Sequence, residues 1–554
     1  MQHYDIVIIG GGPAGSTIGT LVKRYAPHLS ILLLEKTRFP RHHVGESLLV
    51  GATPILLELG VYDKMNRYGF VEKLGANYVW GRDRTPWGFT FDEIAAKFAE
   101  KGQALPELYT KTWQVRRGEY DHILLKHAQE RGVEVREEAR VLHVLQTPDD
   151  GRVTGVEYRD AQGGTHTVAS TLVMDCSGQD ALLGRALGTR EFDEHMNNYA
   201  LFGYWMGARW KFEYLGHPDK TRIFIATTPR GWIWYIPVHQ DIVSVGFVTH
   251  RRTLQDMTDG PEQLYRDEIA ACDEIQHLLD GAALVRLTDD QTRDVCAIQD
   301  WSYTGRQLAG PGWAMAGDAA GFVDPILSSG VMLAHELGQK AAYTIVSAFD
   351  AESEEQARSY WQFYQDTYQT YLQAYRDMAH FWYGNNFSME SWWWQAQRTV
   401  AREDKAMNLT DRDAFTRVAF GYATRAESLS LFGSFPLHEA QQLVNALFAV
   451  NPDATPLEHT YANRPLRLQD GAAITDGMYF YQGRIRRTRR VVGKDRRYLD
   501  LHPGEEHLVK MLDGDHTLAD LNAAIGDLQT VKAKLPMRNS MDLLVQLDNI
   551  GALV

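Results

Sequence analysis

The apolar positions along this chain change rhythm several times, and each change predicts a different element. Ile6 to Ile9, Ile31 to Leu34 and Trp313 to Ala316 are short unbroken apolar runs, as expected of strands buried on both faces of a parallel sheet. Ser16 to Lys23, between the first two, reads as a helix. Val133 to Val144, Val153 to Tyr158 and His166 to Leu172 read as further strands. From Tyr199 to Cys296 the pattern alternates strand-like, around a helical insert at Pro261 to Leu279. From about Val331 to Phe381 apolar residues recur at mixed three and four spacing, which predicts helix. A separate C-terminal unit beginning near Leu457 has strands at Met478 to Tyr481 and Arg497 to Leu501. Helices follow at Glu505 to Leu512, Thr517 to Ile525 and Met541 to Ile550.

The first strand runs directly into Gly10-x-Gly12-Pro13-Ala14-Gly15. The first glycine permits a tight turn, the second lets backbone approach a pyrophosphate, and the third lets the helix pack on the strand. Glu35 ends the second strand, 20 residues past Gly15. A carboxylate there can accept hydrogen bonds from ribose hydroxyls and would repel a 2′-phosphate. A second glycine-rich passage, Gly312 to Gly338, turns at Gly317-Asp318. Its small residues Ser328, Ser329 and Gly330 precede a helix whose first N–H groups could face an anion.

Composition narrows the class. The chain has 554 residues, is 44% hydrophobic and 23% charged, and carries a formal charge of −14. That suits a multidomain enzyme and argues against nucleic-acid binding. Cys176, Cys272 and Cys296 lack metal-like spacing, so neither a metal nor a disulfide framework is expected. Met1 to Asp5 does not open a basic and apolar leader, and no run of about 18 apolar residues offers a membrane span. A cytoplasmic protein is expected.

Strand, glycines, helix, strand and acid, followed by Lys36, Arg41-x-x-Val44-Gly45-Glu46-Ser47 and Gln114-Val115-Arg116-Arg117-x-x-Tyr120-Asp121, resemble the FAD site of the aromatic monooxygenases and halogenases. Two further motifs resemble the flavin-dependent halogenases, in particular the phenol, pyrrole and acyl group typified by the chloramphenicol, chondrochloren and pyoluteorin pathways. They are Phe322-x-x-Pro325-x-x-Ser328-x-Gly330 and Trp232-x-Trp234-x-Ile236-Pro237. The resemblance covers roughly the first 400 residues.

It implies an α/β fold: a Rossmann-like, glutathione-reductase-type FAD-binding domain, a mixed β-sheet substrate domain, and a helical, α+β C-terminal region. Residues 1–400 would form the catalytic module, with FAD-binding segments near 1–70, 110–185 and 295–345 and substrate-domain segments near 71–110 and 190–295. A helical connection over 400–456 and a small α+β domain over 457–554 would follow. It further implies that Gly10, Gly12, Pro13, Ala14, Gly15, Glu35, Lys36, Arg41, Gly45, Glu46, Ser47, Arg117, Asp318 and Pro325 bind FAD, and that Ser328, Ser329 and Gly330 bind halide. Lys73 would carry the reaction, binding hypohalous acid or being chlorinated by it. FADH2 would come from a partner flavin reductase, and chloride or bromide would be installed on an electron-rich aromatic or acyl substrate, free or tethered to a carrier protein. Asp300 resembles a residue esterified to the flavin in some relatives.

Along Trp232 to Pro237, alternation places both indoles on one face, and Pro237 is expected to end the strand or keep it at a sheet edge. Bulky rings between flavin and substrate would favour halide oxidation over ring hydroxylation. Trp392-Trp393-Trp394 could wall a substrate pocket or pack long helices. Eight basic residues lie between Arg484 and Arg497. They read as a solvated hairpin between strands, or as a dock for an acidic carrier protein. An FAD-dependent aromatic hydroxylase shares the nucleotide residues but not Lys73 or the Trp pair. A non-catalytic flavoprotein scaffold binding a peptide or carrier is the remaining alternative.

Overall fold

The computed structural model describes residues 2–80, 86–91, 111–194, 196–209, 221–255, 260–288, 291–299, 302–384, 464–493, 498–501, 504–531, 540–549 and 552–553. Its first strand, β1 (Gln2–Ile9), is central to a parallel layer. Helix α1 (Pro13–Tyr25) follows it and leads to β2 (Ile31–Leu34), all four of whose residues are buried. Ile6 to Ile9 lie beside Ile31 to Leu34 on one flank and Leu172 to Asp175 on the other.

The next strands are β3 (Val71–Val79), β4 (Pro86–Thr90) and β5 (Thr112–Gln114), then helix α2 (Arg117–Glu130). The parallel layer resumes with β6 (Glu134–Arg136) on β2, and β7 (Arg140–Gln146) and β8 (Val153–Arg159) continue antiparallel onto β9 (Thr165–Asp175). Strands β1, β2, β9 and the later Trp313–Met315 therefore release their chain at one edge, at Gly10, Glu35, Cys176 and Ala316. Ligands of open parallel sheets bind outside such carboxyl ends. The turn after β1 is glycine for steric reasons. Gly10 has φ +103°, and a Cβ there would stand 2.3 Å from the Cys176 carbonyl oxygen; one at Gly15 would stand 2.0 Å from that of Gly10.

A nine-stranded sheet contains β3, β4 and β5 together with β10 (Asn198–Met206), β11 (Thr221–Thr228), β12 (Gly231–His239), β13 (Ile242–His250), β14 (Ala283–Val285) and β15 (Val295–Gln299). Ile233, Tyr235, Phe224 and Phe247 pack with Leu264 and Tyr265 of α3 (Pro261–Ala270). Trp232 and Trp234 lie on the other face, ring centroids 6.1 Å apart. Pro237 departs from the sequence expectation: β12 runs through it, between β11 and β13. Pairing with β11 has already stopped at Tyr235, and the ladder with β13 shifts register between Pro237 and His239. On the flank facing β11, therefore, no ladder requires the missing N–H, although Pro237 still lies opposite Val243 of β13.

After β16 (Trp313–Met315) come the long helices α4 (Gly330–Phe349) and α5 (Glu354–Gly384). Along α5, the Tyr364 and Tyr368 hydroxyls donate to the carbonyls of Met315 (2.7 Å) and Gly317 (2.6 Å), fixing the second glycine turn. No helix among the described residues is long and apolar enough to cross a membrane.

The chain divides into two compact units, Met1–Met389 and Glu390–Val554. The expected connection over 400–456 and Trp392 to Trp394 lie outside the described residues. The second unit holds β17 (Ala473–Tyr481), β18 (Arg484–Val492) and β19 (Tyr498–Leu501), then α6 (Glu505–Lys510), α7 (Leu518–Val531) and α8 (Ser540–Asn549). The arginine run read as a link between strands is itself the central strand of this sheet. Ile485 and Val491 bury their side chains, Arg489 pairs with Asp476 at 2.5 Å, and Arg490 pairs with Asp500 at 2.7 Å. Strand alternation and cross-strand acids thus accommodate charges that a hydropathy reading assigns to a loop.

Gly10→Ala is expected to lower stability by ~2 kcal/mol or more, since it adds a side chain to a left-handed turn facing backbone. Denaturation of the flavin-free protein measures this, and an unchanged midpoint would contradict the turn geometry.

Candidate active site

At the parallel edge, Glu35 is buried and organises the turn. Its Oε2 accepts from the Gly11 N–H at 2.8 Å, and its Oε1 accepts from the N–H (3.0 Å) and hydroxyl (2.8 Å) of Thr37. Helix α1 starts at Pro13 with no side-chain cap and no acid in its first turn. Its N-terminal N–H groups thus have no side-chain cap, and an anion there would satisfy them. A Cβ on Gly12 would meet only the Arg41 guanidinium, 3.8 Å away. Arg41 Nη1 is buried without a hydrogen-bond partner, while Nη2 lies 3.5 Å from Asp121. Lys36 instead forms a half-exposed ion pair with Asp180 at the rim. A cleft of about 870 Å³ opens beside Lys36, Arg41 and Arg140.

Arg117 joins this region to the strap before β3. Its Nε and Nη2 donate to the two Asp121 oxygens at 2.8 and 3.0 Å, and Nη1 donates to the Val44 carbonyl at 2.9 Å. A side chain on Gly45, which has φ +106°, would meet Arg117 Nη1 at 2.9 Å. Burial raises the Asp318 carboxyl to about 6, against the Arg117 charge that favours its ionised form. Glu46 is buried too. Its Oε1 accepts from the Tyr204 hydroxyl at 2.8 Å, and burial pushes it up to about 7 against that bond and the Arg117 charge.

Ser47 and Leu48 carry the strap into contact with Lys73. Ser47 bridges Gln114 of β5, the Leu48 N–H donates to the Trp113 carbonyl at 3.1 Å, and Lys73 of β3 pairs with Thr112. The Lys73 ammonium donates to Ser47 Oγ at 2.8 Å and to the Leu48 carbonyl at 2.9 Å. At 2% exposure it is far from the solvated strand entrance that position alone suggests. Burial alone lowers its pKa from 10.5 to about 7. An ammonium has three N–H bonds, so one remains beyond the two used here.

The second glycine passage makes the other wall. Asp324 caps a single turn, Pro325–Leu327, accepting from the Ile326 N–H at 2.9 Å. Ser328 follows at φ +53°, a left-handed conformation uncommon for serine. Ser329 is buried, and Gly330 begins α4 with no side-chain cap and no acid in its first turn. A Cβ on Gly330 would stand 2.8 Å from the Phe322 ring. Ser328 to Gly330 are thus a close-packed turn at the positive end of a 20-residue helix. Asp300 lies outside the described residues.

The sequence profile of the tryptophan halogenase family matches residues 5–111 and 96–427. The chain belongs to the flavin-dependent halogenases. It is 32% identical over 412 residues to a tryptophan 2-halogenase of Chondromyces crocatus, which covers 74% of this chain and 73% of that one. It is 33% identical over 360 residues to a 1H-pyrrole-2-carbonyl-[peptidyl-carrier protein] chlorinase of Pseudomonas fluorescens, covering 63% of this chain and 76% of the relative. The solved structure of CmlS, a flavin-dependent halogenase, superposes with a TM-score of 0.72 at 25% identity, over 100% of this chain and 96% of that one.

FAD is therefore the halogenase's cofactor and halide its co-substrate. The residues present fit the flavin nucleotide: the unpartnered Arg41 Nη1 beside an uncapped helix end is what a pyrophosphate would satisfy. Sequence reading passed over Tyr204, whose contact with Glu46 spans 158 residues, and Asp324. The Asp-Pro pair at the start of a turn was a legible cap for the latter.

Lys73→Met is expected to change how stability responds to pH. Below about 7 the folded protein carries the buried ammonium. Between about 7 and 10.5 only the unfolded chain holds that proton, so this residue's contribution to parental stability rises with pH. Parent minus variant stability should climb by up to about 1.4 kcal/mol per pH unit across that window. Denaturation at pH 7, 8 and 9 measures it, and a constant difference would show that the amine is not shifted.

Proposed function

We propose that this halogenase installs chlorine or bromine on an electron-rich phenol or pyrrole ring presented on an acyl or peptidyl carrier protein, and draws FADH2 from a separate flavin reductase. When bound, the reduced flavin with O2 supplies the oxidation that converts halide to hypohalous acid. The N–H groups of Ser329 and Gly330 hold the halide by partial positive charge, and the turn's small residues let it approach. Gly12, Arg41 and Glu35 hold the nucleotide end, and Arg117 fixes the Gly45 to Ser47 strap beside the flavin.

Lys73 completes the transfer. Its ammonium donates a proton to the hypohalous oxygen as the ring carbon takes the halogen. The oxygen leaves as water, and the ring proton restores the ammonium, so charge and atoms balance. The observation that carries the reading is a buried lysine amine, held among the described residues by two uncharged oxygens and poised near pH 7, where it can both give and take a proton. Support for a tethered ring comes from two relatives, of Pseudomonas fluorescens and Pseudoalteromonas luteoviolacea, named as acting on a pyrrole carbonyl held by a peptidyl carrier protein.

Flavin-loaded, folded Lys73→Met is expected to lose about 100-fold or more of halogenated product while still consuming reduced flavin and O2. Product mass after incubation with reductase, NADH and bromide measures this. Parental rate and position would remove Lys73 from the chemistry, and a hydroxylated ring would favour the hydroxylase alternative. Of the basic strand, Arg486 and Arg487 are exposed, whereas Arg489 and Arg490 are paired within the second unit. Charge reversal of Arg486 and Arg487 is therefore expected to slow turnover of carrier-bound substrate at low salt more than at high salt, and to spare free substrate. Equal turnover in both salts would exclude this strand as the dock.

A further inference from the structure

The Asp324 carboxylate is 1% exposed and lies one residue before the turn that leads to Ser328, Ser329 and Gly330. A buried carboxylate needs donors around both oxygens, and three are present. Oδ1 accepts from the Ile326 N–H at 2.9 Å and from the Tyr383 hydroxyl at 2.8 Å, and Oδ2 accepts from the Asn198 amide at 3.0 Å. The Tyr383 hydroxyl, having given its proton to Asp324, accepts one from the Trp232 indole N–H at 3.0 Å. One hydrogen-bonded path thus runs from an indole of the substrate sheet, through the end of α5, to the backbone of the halide turn.

This path has a directional logic. Ser328 occupies a left-handed conformation that costs energy for a residue with a Cβ and persists only where the surroundings fix it. The turn is held at its far end by α4, whose Leu333 N–H donates to the Ser329 carbonyl at 2.8 Å. At its near end it is held by Asp324. Asp324 in turn is held by Tyr383 and Asn198, so the position of the turn's N–H groups depends on residues that lie outside it. Trp232 sits 6.1 Å from Trp234 and 6.4 Å from Trp80, centroid to centroid, on the face that carries Phe202 and Tyr204.

We propose that Asp324 and Tyr383 are positioning residues that set halide affinity, and that Trp232 acts in this halogenase as their hydrogen-bond anchor as well as a bulky screen. The inference rests on the assignment of Ser328 to Gly330 as the halide turn. Tyr383→Phe removes one donor to Asp324 and leaves the Trp232 N–H without its acceptor, while keeping the ring. Loss of a buried hydrogen bond to a charged group changes an equilibrium roughly tenfold. The variant is therefore expected to need roughly tenfold more bromide for half-saturation, with kcat at saturating bromide and the KM for organic substrate within about twofold of the parent.

The readout independent of turnover is the thermal shift caused by bromide in protein loaded with oxidised FAD, titrated at constant ionic strength against sulfate. Tyr383→Phe should move that titration to higher bromide, Trp232→Phe should move it in the same direction by less, and FAD affinity should stay parental in both. Gly330→Ala, whose methyl would meet the Phe322 ring, reports on the turn itself. If Gly330→Ala abolishes the bromide response but Tyr383→Phe and Trp232→Phe leave it parental, the relay fails and the halide turn stands. A parental response in Gly330→Ala means that halide binds elsewhere, and both assignments fall. Parallel loss of bromide and FAD affinity in Tyr383→Phe would mark general loosening and also overturn the proposal.

Discussion

The constraint on which the site depends is the removal of one amine from water with no counter-ion among the described residues. Among the described residues Lys73 donates to Ser47 Oγ and the Leu48 carbonyl, both uncharged, and burial of its charged form brings its pKa down to about 7. A carboxylate within reach would have restored the ordinary lysine pKa and made the ammonium a static ion. The surrounding strands make the arrangement possible. The Glu46 carbonyl accepts from the Val115 N–H at 2.8 Å and Ser47 bridges Gln114, which closes the strap over β5 and keeps the lysine buried.

The same strap links the parallel sheet's edge to the nine-stranded sheet. Its start is held by Arg117, whose bidentate contact with Asp121 fixes the guanidinium plane and leaves Nη1 for the Val44 carbonyl. Its middle is held by Glu46 through Tyr204 of the substrate sheet, and its end by Lys73. If flavin and substrate lie where proposed, the geometry on both sides is therefore set by consecutive residues of one short segment. A shift of the strap toward either side would be felt at the other, because each anchor is a directional hydrogen bond between buried groups.

Much of this was legible in sequence where local chemistry is strict. Gly10 and Gly15 could be assigned because backbone atoms fill the space that a Cβ would take, and the IVII and ILLL runs because a doubly covered parallel strand tolerates no polar face. The burial of Lys73 was not legible, because it depends on β5 and the strap, some 26 to 39 residues away, and its proposed role came only through likeness to relatives. Pro237 and the arginine strand were misread for the same reason. A one-dimensional pattern does not say where a neighbouring strand stops pairing, nor which cross-strand acid meets a charge. The tyrosines of α5 show the middle case: helical spacing was visible, but their hydroxyls find carbonyls about 50 residues distant.

The turn proposed to hold halide raises an electrostatic question. An anion site would gain affinity from a nearby arginine, yet the residue the chain places just before the turn is a carboxylate. With three donors around it, Asp324 presents its charge to Ile326, Asn198 and Tyr383 rather than to the turn's open end, and burial raises its pKa to about 6, which weakens its hold on that charge. The α4 helix end then supplies partial positive charge on the opposite side of Ser328. Neutral donors suit a halide that must be released as a neutral acid after oxidation, because a fixed cation would stabilise the starting anion and not the uncharged product. On the proposed assignment, the carboxylate therefore shapes the turn, and the helix end would attract the ion.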